Sequence, residues 1–162
     1  MPRKSHKLPI DSPERRRLPI LLRRAWYGLN QAFRRRIAHL GITPDQFTAL
    51  RTLLEHEAEG LVQSELTTLM ASDPNTIASL VERMEKAGLV TRRTDQADRR
   101  AKRIEIKALG REKYEEARKI AIAVQTEILG ALAEDKREEF LQNLSAVADS
   151  CRSAAEQGRP KM

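Results

Sequence analysis

Apolar residues recur every three or four positions along most of the chain, which predicts a mainly helical protein. The first apolar stripe starts at Leu18 and runs to Gly41, a residue type that readily ends a helix. Thr43 and Pro44 follow, and they suit the cap and the first turn of a new helix. The pattern therefore predicts one long amphipathic helix and a second helix directly after it.

Two shorter helices are predicted in the segment that follows. The first covers residues 61–70 and the break covers residues 71–72. The second begins with Asp73 as its cap and Pro74 in its first turn, and it ends at Gly88. Its apolar face consists of Ile77, Leu80, Val81 and Met84. Two helices joined by so short a break predict a helix-turn-helix.

A basic hairpin is predicted immediately after this pair of helices. Ile104 and Ile106 alternate with charged residues, which indicates a half-buried strand, and residues 89–91 begin the opposing strand. The loop between the strands is rich in arginine. A helix-turn-helix followed by an antiparallel two-stranded wing is the order of a winged helix-turn-helix, a DNA-binding device.

The polar side chains of this segment are the candidate DNA contacts. Gln63 and Ser64 would touch phosphates at the start of the first short helix. The exposed face of the second would meet base edges and phosphates through Asn75, Thr76, Ser79 and Arg83. The wing would use Arg99, Arg100 and Lys102. Each feature alone is typical of a solvated helix or turn, but their conjunction in this order favours DNA binding.

Positive charge is concentrated in two places, although the formal net charge is only +7. Residues 1–36 hold 11 basic and 2 acidic residues, and residues 90–103 hold 6 basic and 2 acidic residues. Residues 1–17 combine three prolines with clustered charge, so we predict a flexible basic arm. This distribution favours double-stranded DNA as the partner.

Two further helical stripes follow the wing and exceed what a lone winged helix needs. They favour a homodimer, because helix-turn-helix proteins read paired half-sites about 34–36 Å apart; a monomeric bundle is the alternative. The predicted interface comprises Leu18, Leu22, Ile128, Leu132, Phe140, Leu144, Val147 and Cys151. Because Cys151 lies on the last stripe, we expect it to be a buried packing residue and not a redox sensor.

The chain resembles the MarR family of bacterial transcription regulators over roughly residues 18–150. Four motifs carry the resemblance: Gln63-Ser-Glu-Leu66, Asp73-Pro-Asn-Thr76, Leu80-Val-Glu-Arg-Met-Glu-Lys-Ala-Gly-Leu-Val90 and Asp98-Arg-Arg-Ala-Lys-Arg-Ile104. The resemblance implies that Arg100 enters the minor groove and that Asp98 orients it. It also implies a repressor released from DNA by a small, often aromatic and anionic effector. The effector candidates are Trp26, Phe33, His39, Phe47 and Arg51, although a tryptophan on a helical stripe is more often a core residue.

The remaining polar residues form no catalytic motif, metal-ligand spacing or phosphate-binding glycine loop, so we expect no enzyme activity and no cofactor. The single cysteine and the absence of a membrane-spanning apolar run favour the cytoplasm and no membrane association. We predict four segments: a basic arm (1–17), an N-terminal dimerisation helix (18–42), the winged helix-turn-helix (43–107) and C-terminal dimerisation helices (108–157). The sequence thus predicts a sequence-specific DNA-binding regulator. The alternatives are a winged-helix protein-interaction module and a nonspecific architectural DNA-binding protein.

Overall fold

The computed structural model describes residues 9–158 and is mainly helical, as predicted. In chain order its elements are α1 (Leu18–Ile37), a 3-10 turn (Ala38–Leu40), α2 (Pro44–Glu55), β1 (Leu61–Val62), α3 (Gln63–Leu69), α4 (Pro74–Lys86), β2 (Val90–Thr94), β3 (Lys102–Ile106), α5 (Ala108–Leu129) and α6 (Glu134–Gln157). Residues 1–8 of the predicted basic arm lie outside the described residues, and residues 9–17 contain turns but no helix.

The ends of the first two helices follow from local chemistry. Gly41 adopts a left-handed conformation with φ 71° where the 3-10 turn after α1 stops. Thr43 then caps α2: its Oγ1 accepts from the backbone N–H of Gln46 at 3.2 Å, and its own N–H donates to Gln46 Oε1 at 3.0 Å. The predicted helix start at Thr43 and Pro44 is confirmed.

The core of the winged domain is built from the predicted apolar face of α4 and its neighbours. Ile77, Leu80, Val81 and Met84 are all 2% exposed or less. Leu50 of α2 and Leu66 of α3 are fully buried. Burial of an aliphatic side chain contributes about 1.5–3 kcal/mol, so this face holds α4 firmly in the domain.

The wing belongs to a three-stranded antiparallel sheet with the order β1-β3-β2. The predicted hairpin is confirmed, with Val90 opposite Ile106 and Arg93 opposite Arg103. The third strand was not predicted: Leu61 pairs with Ile104, so the helix expected from residue 61 begins at Gln63 instead. Leu61 is 5% exposed, and its burial beside β3 favours the strand over the helix at this residue.

The chain divides after Ala121 into two compact units, and α5 belongs to both. In the second unit, Arg137 Nε donates to the carbonyl oxygens of Leu129 and Leu132 and so closes the turn before α6. No residue of α6 is buried, and Cys151 is exposed. Cys151 was assigned to a dimer interface, so its exposure in the single chain leaves its burial in a dimer a prediction.

Candidate nucleic-acid interface

The turn between α3 and α4 fixes where the second helix of the pair begins. Ala71 adopts a left-handed conformation with φ 49°, and the N–H of Ser72 donates to the carbonyl oxygen of Thr67 at 3.1 Å. Asp73 then caps α4, since its Oδ1 accepts from the backbone N–H of Thr76 at 2.9 Å. The Thr76 hydroxyl donates to the same carboxylate, and this bond, followed by the backbone N–H, lowers the pKa of Asp73.

The predicted recognition residues of α4 differ in what they can offer to DNA. Asn75 and Ser79 are exposed on the first two turns. Thr76 is also exposed, but its hydroxyl proton is directed to Asp73. Arg83 is exposed and its Nε donates to the carbonyl oxygen of Ser79 at 3.3 Å, which lays the guanidinium along the helix. Asn75 and Ser79 thus remain as exposed polar side chains on the capped start of α4.

The predicted phosphate contacts at the start of α3 are accessible to different degrees. Ser64 is exposed and Gln63 is half-buried. The backbone N–H of Val62 donates to Glu65 Oε2 at 2.9 Å, which fixes the start of this short helix. The position of α3 therefore depends on β1, the strand that directly precedes it.

Asp95 organises the wing, and sequence reasoning missed it. The side chain is only 8% exposed, and Oδ1 accepts from the backbone N–H groups of Ala97 and Asp98, both at 2.9 Å. Arg103 pairs with Oδ2 at 2.6 Å. The Asp98 N–H and then Arg103 lower the pKa of Asp95. An aspartate that opens a loop and binds its own following N–H groups is a known turn signal, which could have identified it.

The wing tip presents two exposed arginines, Arg99 and Arg100. Asp98 Oδ1 accepts from the backbone N–H of Arg100 at 2.9 Å, so it orients this residue through the main chain. Lys102 donates through Nζ to Thr94 Oγ1 at 3.1 Å, across the two strands. The tip is thus a structured turn with two solvent-facing guanidinium groups.

A second ion pair, also missed from the sequence, attaches the wing to α4. Arg92 donates through Nε and Nη2 to Glu85 Oε2 at 2.9 and 2.7 Å, and its backbone N–H donates to Glu85 Oε1 at 3.0 Å. These bonds lower the pKa of Glu85, with the Arg92 side chain contributing most. Arg92 therefore holds β2 against α4. Its neighbour Arg93 is exposed and pairs with Glu105 at 3.1 Å.

Part of the predicted effector site comes together around Phe47. Its ring contacts Phe33 edge-on, with centroids 4.9 Å apart, and stacks on Tyr114 at 5.4 Å. The Arg51 guanidinium lies 4.8 Å from the Phe47 centroid. Tyr114 was not predicted. Trp26 and His39 are exposed and make none of these ring contacts, and the burial favoured for a stripe tryptophan is not observed, since Trp26 is 65% exposed.

Residues 9–158 hold no group of three or more His, Cys, Asp or Glu residues that could bind a metal ion. In the same part of the chain, no helix combines the length and the apolar character needed to cross a membrane.

Comparison with known proteins identifies the family. Residues 42–102 match the sequence model of the MarR family. Transcriptional regulator HosA of Escherichia coli is 30% identical over 127 residues, which cover 75% of this chain and 93% of HosA. The chain belongs to the MarR family. The resemblance drawn from its motifs is confirmed, and this MarR-family chain is a DNA-binding transcriptional regulator and not an enzyme.

Solved MarR-like structures support the winged-helix architecture. The Mycobacterium tuberculosis regulator MOSR, solved in complex with DNA, has a TM-score of 0.68 and 29% identity, covering 85% of this chain and 99% of MOSR. The transcriptional repressor CouR, bound to a 23-mer DNA duplex, has a TM-score of 0.72 and 26% identity, covering 81% of this chain and 92% of CouR. The predicted fold class is confirmed.

Proposed function

We propose that this MarR-family regulator is a sequence-specific repressor that binds an inverted repeat as a homodimer in the cytoplasm and responds to a small effector. The observation that carries the proposal is that two exposed polar surfaces, the start of α4 and the wing tip, lie in one compact unit. Asn75 and Ser79 stand on the capped start of α4, while Arg99 and Arg100 stand on a wing tip closed by hydrogen bonds. A rigid helix suits the major groove, and arginine suits a narrow minor groove.

Exposed apolar side chains in both compact units support the homodimer. In the first unit, α1 exposes Leu18 (50%), Trp26 (65%) and Tyr27 (61%). In the second, α6 buries no residue and exposes Phe140 (43%) and Leu144 (37%). Burial of apolar surface contributes about 25 cal/mol per Å², so covering these faces with a second copy would contribute favourable free energy to dimerisation. The segments 18–42 and 108–157 then act as dimerisation helices around the winged domain, residues 43–107.

The cluster around Phe47 supports an aromatic, anionic effector. Arg51 is half-buried and supplies positive charge at the edge of an aromatic stack formed with Phe33 and Tyr114. An aromatic acid could stack on these rings and pair with the guanidinium. Benzoate, used as the probe, should weaken DNA binding by the wild type and leave an Arg51→Gln variant unaffected. Equal inhibition of both proteins would contradict this site.

Selection of duplexes from a random pool tests sequence-specific binding. The wild type should enrich an inverted repeat and should bind it more tightly than a scrambled duplex at moderate salt. Equal affinity for both would contradict specific regulation and favour a nonspecific architectural role, whereas no binding to either would favour a protein-interaction module.

The same selection distinguishes the roles of wing and helix. Arg100→Ala should lower affinity but keep the half-site consensus, because minor-groove arginine reads groove width more than base identity. Asn75→Ala should relax preference at one or two base pairs, where a bidentate contact is worth roughly 1–3 kcal/mol of discrimination. Arg152→Ala removes an equal charge from α6 and should leave affinity and consensus nearly unchanged. A consensus altered only by Arg100→Ala would reverse the assignment.

A further inference from the structure

Arg103 joins the wing to a distant segment of the chain. Its Nε donates to Asp95 Oδ2 at 2.8 Å, and its Nη2 lies 2.6 Å from the same oxygen in an ion pair. Its Nη1 donates to the backbone carbonyl oxygen of Glu59 at 2.9 Å. One planar guanidinium therefore ties the wing turn to the loop between α2 and β1, a contact that spans 44 residues of sequence.

The contact continues from Asp95 to the tip of the wing. Asp95 Oδ1 accepts from the backbone N–H of Asp98, and Asp98 Oδ1 accepts from the backbone N–H of Arg100. Charge-assisted and backbone hydrogen bonds thus follow one another from the Glu59 carbonyl oxygen to Arg100. Asp95 is nearly buried, so little water competes for its carboxylate.

Gly60 provides an independent sign that the chain makes room for this guanidinium. A Cβ on Gly60 would lie 2.3 Å from Arg103 Nη1, so the guanidinium would have to move away. Gly60 also has φ 68°, a conformation that other residues adopt at a cost. The absence of a side chain at this position lets Arg103 reach the Glu59 carbonyl oxygen.

We propose that Arg103 is a positioning residue for DNA recognition, which sets the direction of Arg99 and Arg100 by clamping Asp95 to the loop at Glu59. The inference rests on the proposed function, since it assigns the aim of the wing that reads DNA. The competing role is direct contact between Arg103 and a phosphate. The two roles differ because positioning requires the fork of the guanidinium, whereas a phosphate contact requires only positive charge.

Charge-conserving variants separate the two roles. Arg103→Lys keeps the charge but cannot bond Asp95 and the Glu59 carbonyl oxygen at the same time, so we expect affinity for the selected duplex to fall about tenfold, equivalent to the removal of one charge-assisted hydrogen bond. Arg93, the cross-strand partner of Arg103, provides the matched control. Arg93→Lys should bind within about twofold of the wild type, because the exposed Arg93 pairs only at the surface.

Asp95→Asn gives opposite predictions for the two roles. Removing a negative charge close to DNA should tighten binding if charge alone matters. If Asp95 instead holds the wing turn through its bond to Arg103, the same change should weaken binding about tenfold, because the charge-assisted hydrogen bond from Arg103 is lost. The Arg103→Lys/Asp95→Asn double variant should then be no weaker than the weaker single variant, since both changes break one link. Gly60→Ala, which changes no charge, should also weaken binding by displacing Arg103.

Hydrogen exchange provides a readout that does not need DNA. Arg103→Lys should accelerate exchange of the Ala97, Asp98 and Arg100 amides, while the thermal unfolding midpoint should stay near that of the wild type because the wing turn is peripheral. Should Arg103→Lys fail to fold, the DNA affinity and the amide exchange of Gly60→Ala and Asp95→Asn can be compared with those of the wild type instead. Wild-type affinity in Arg103→Lys together with tighter binding by Asp95→Asn would overturn the proposal. A wild type that enriches no consensus would refute specific regulation, and the exchange data would still decide the role of Arg103.

Discussion

Gly110, the third residue of α5, should be intolerant of any side chain. It is buried against the start of β2, where an added Cβ would lie 2.2 Å from the carbonyl oxygen of Leu89 and 3.0 Å from Ile106 Cγ2. The Leu89 oxygen already accepts from the backbone N–H of Lys107 at 3.0 Å, so it cannot retreat without breaking that bond. Gly110→Ala should therefore push α5 away from the base of the wing.

The expected cost follows from two opposing effects. Overpacking of a rigid site costs about 1–3 kcal/mol. Replacing glycine by alanine in a helix returns at most about 1 kcal/mol. We expect Gly110→Ala to lower the free energy of unfolding by roughly 1–2 kcal/mol, which lowers the urea midpoint by about 0.5–1 M for an m-value of about 2 kcal/mol/M.

Gly28 offers a matched control for this prediction. It lies within α1, and among residues 9–158 a Cβ there would meet no atom within 4 Å beyond its chain neighbours and the backbone of its own helix. Gly28→Ala should raise the free energy of unfolding by up to about 1 kcal/mol, the gain in helix propensity. Both variants should be unfolded in urea at the same protein concentration as the wild type. A midpoint for Gly110→Ala at or above the wild-type value would refute the steric reasoning.

Three further predictions concern the arm, the dimer and the cap. Deleting residues 1–17 should weaken binding to selected and scrambled duplexes equally and lower the slope of log affinity against log salt by about 0.9 for each phosphate that the arm neutralises in the intact protein; a loss of discrimination would mean that the arm reads bases. Leu144→Glu should give a monomer in analytical ultracentrifugation because a buried charge is strongly disfavoured, whereas Gln142→Glu should remain dimeric; a monomeric wild type would refute the interface. The pKa of Asp73 is lower in the folded chain than its ordinary value, so its contribution to stability is full above about pH 4 and declines at lower pH. The stability difference between wild type and Asp73→Asn should therefore shrink as the pH falls from about 6 to about 3, and a constant difference would contradict this linkage.

The sequence alone determined the helices whose ends and faces depend on near neighbours. Asp73 caps α4, Gly88 ends it with φ 75°, and its apolar spacing places one face in the core. Capping needs a partner three residues away, and amphipathic periodicity needs one turn of helix. The charged loop between two alternating segments likewise predicted the wing.

Tertiary structure decided the features that join distant parts of the chain. β1 has only two residues and forms because Leu61 pairs with Ile104. Arg103 could have been a surface cation like Arg93, but the fold brings the Glu59 carbonyl oxygen and the Asp95 carboxylate to its guanidinium. The exposure of Cys151 also depends on whether another surface reaches α6, not on its place in a stripe. Periodicity specifies which face of an element is apolar, but only the packed chain specifies what that face meets.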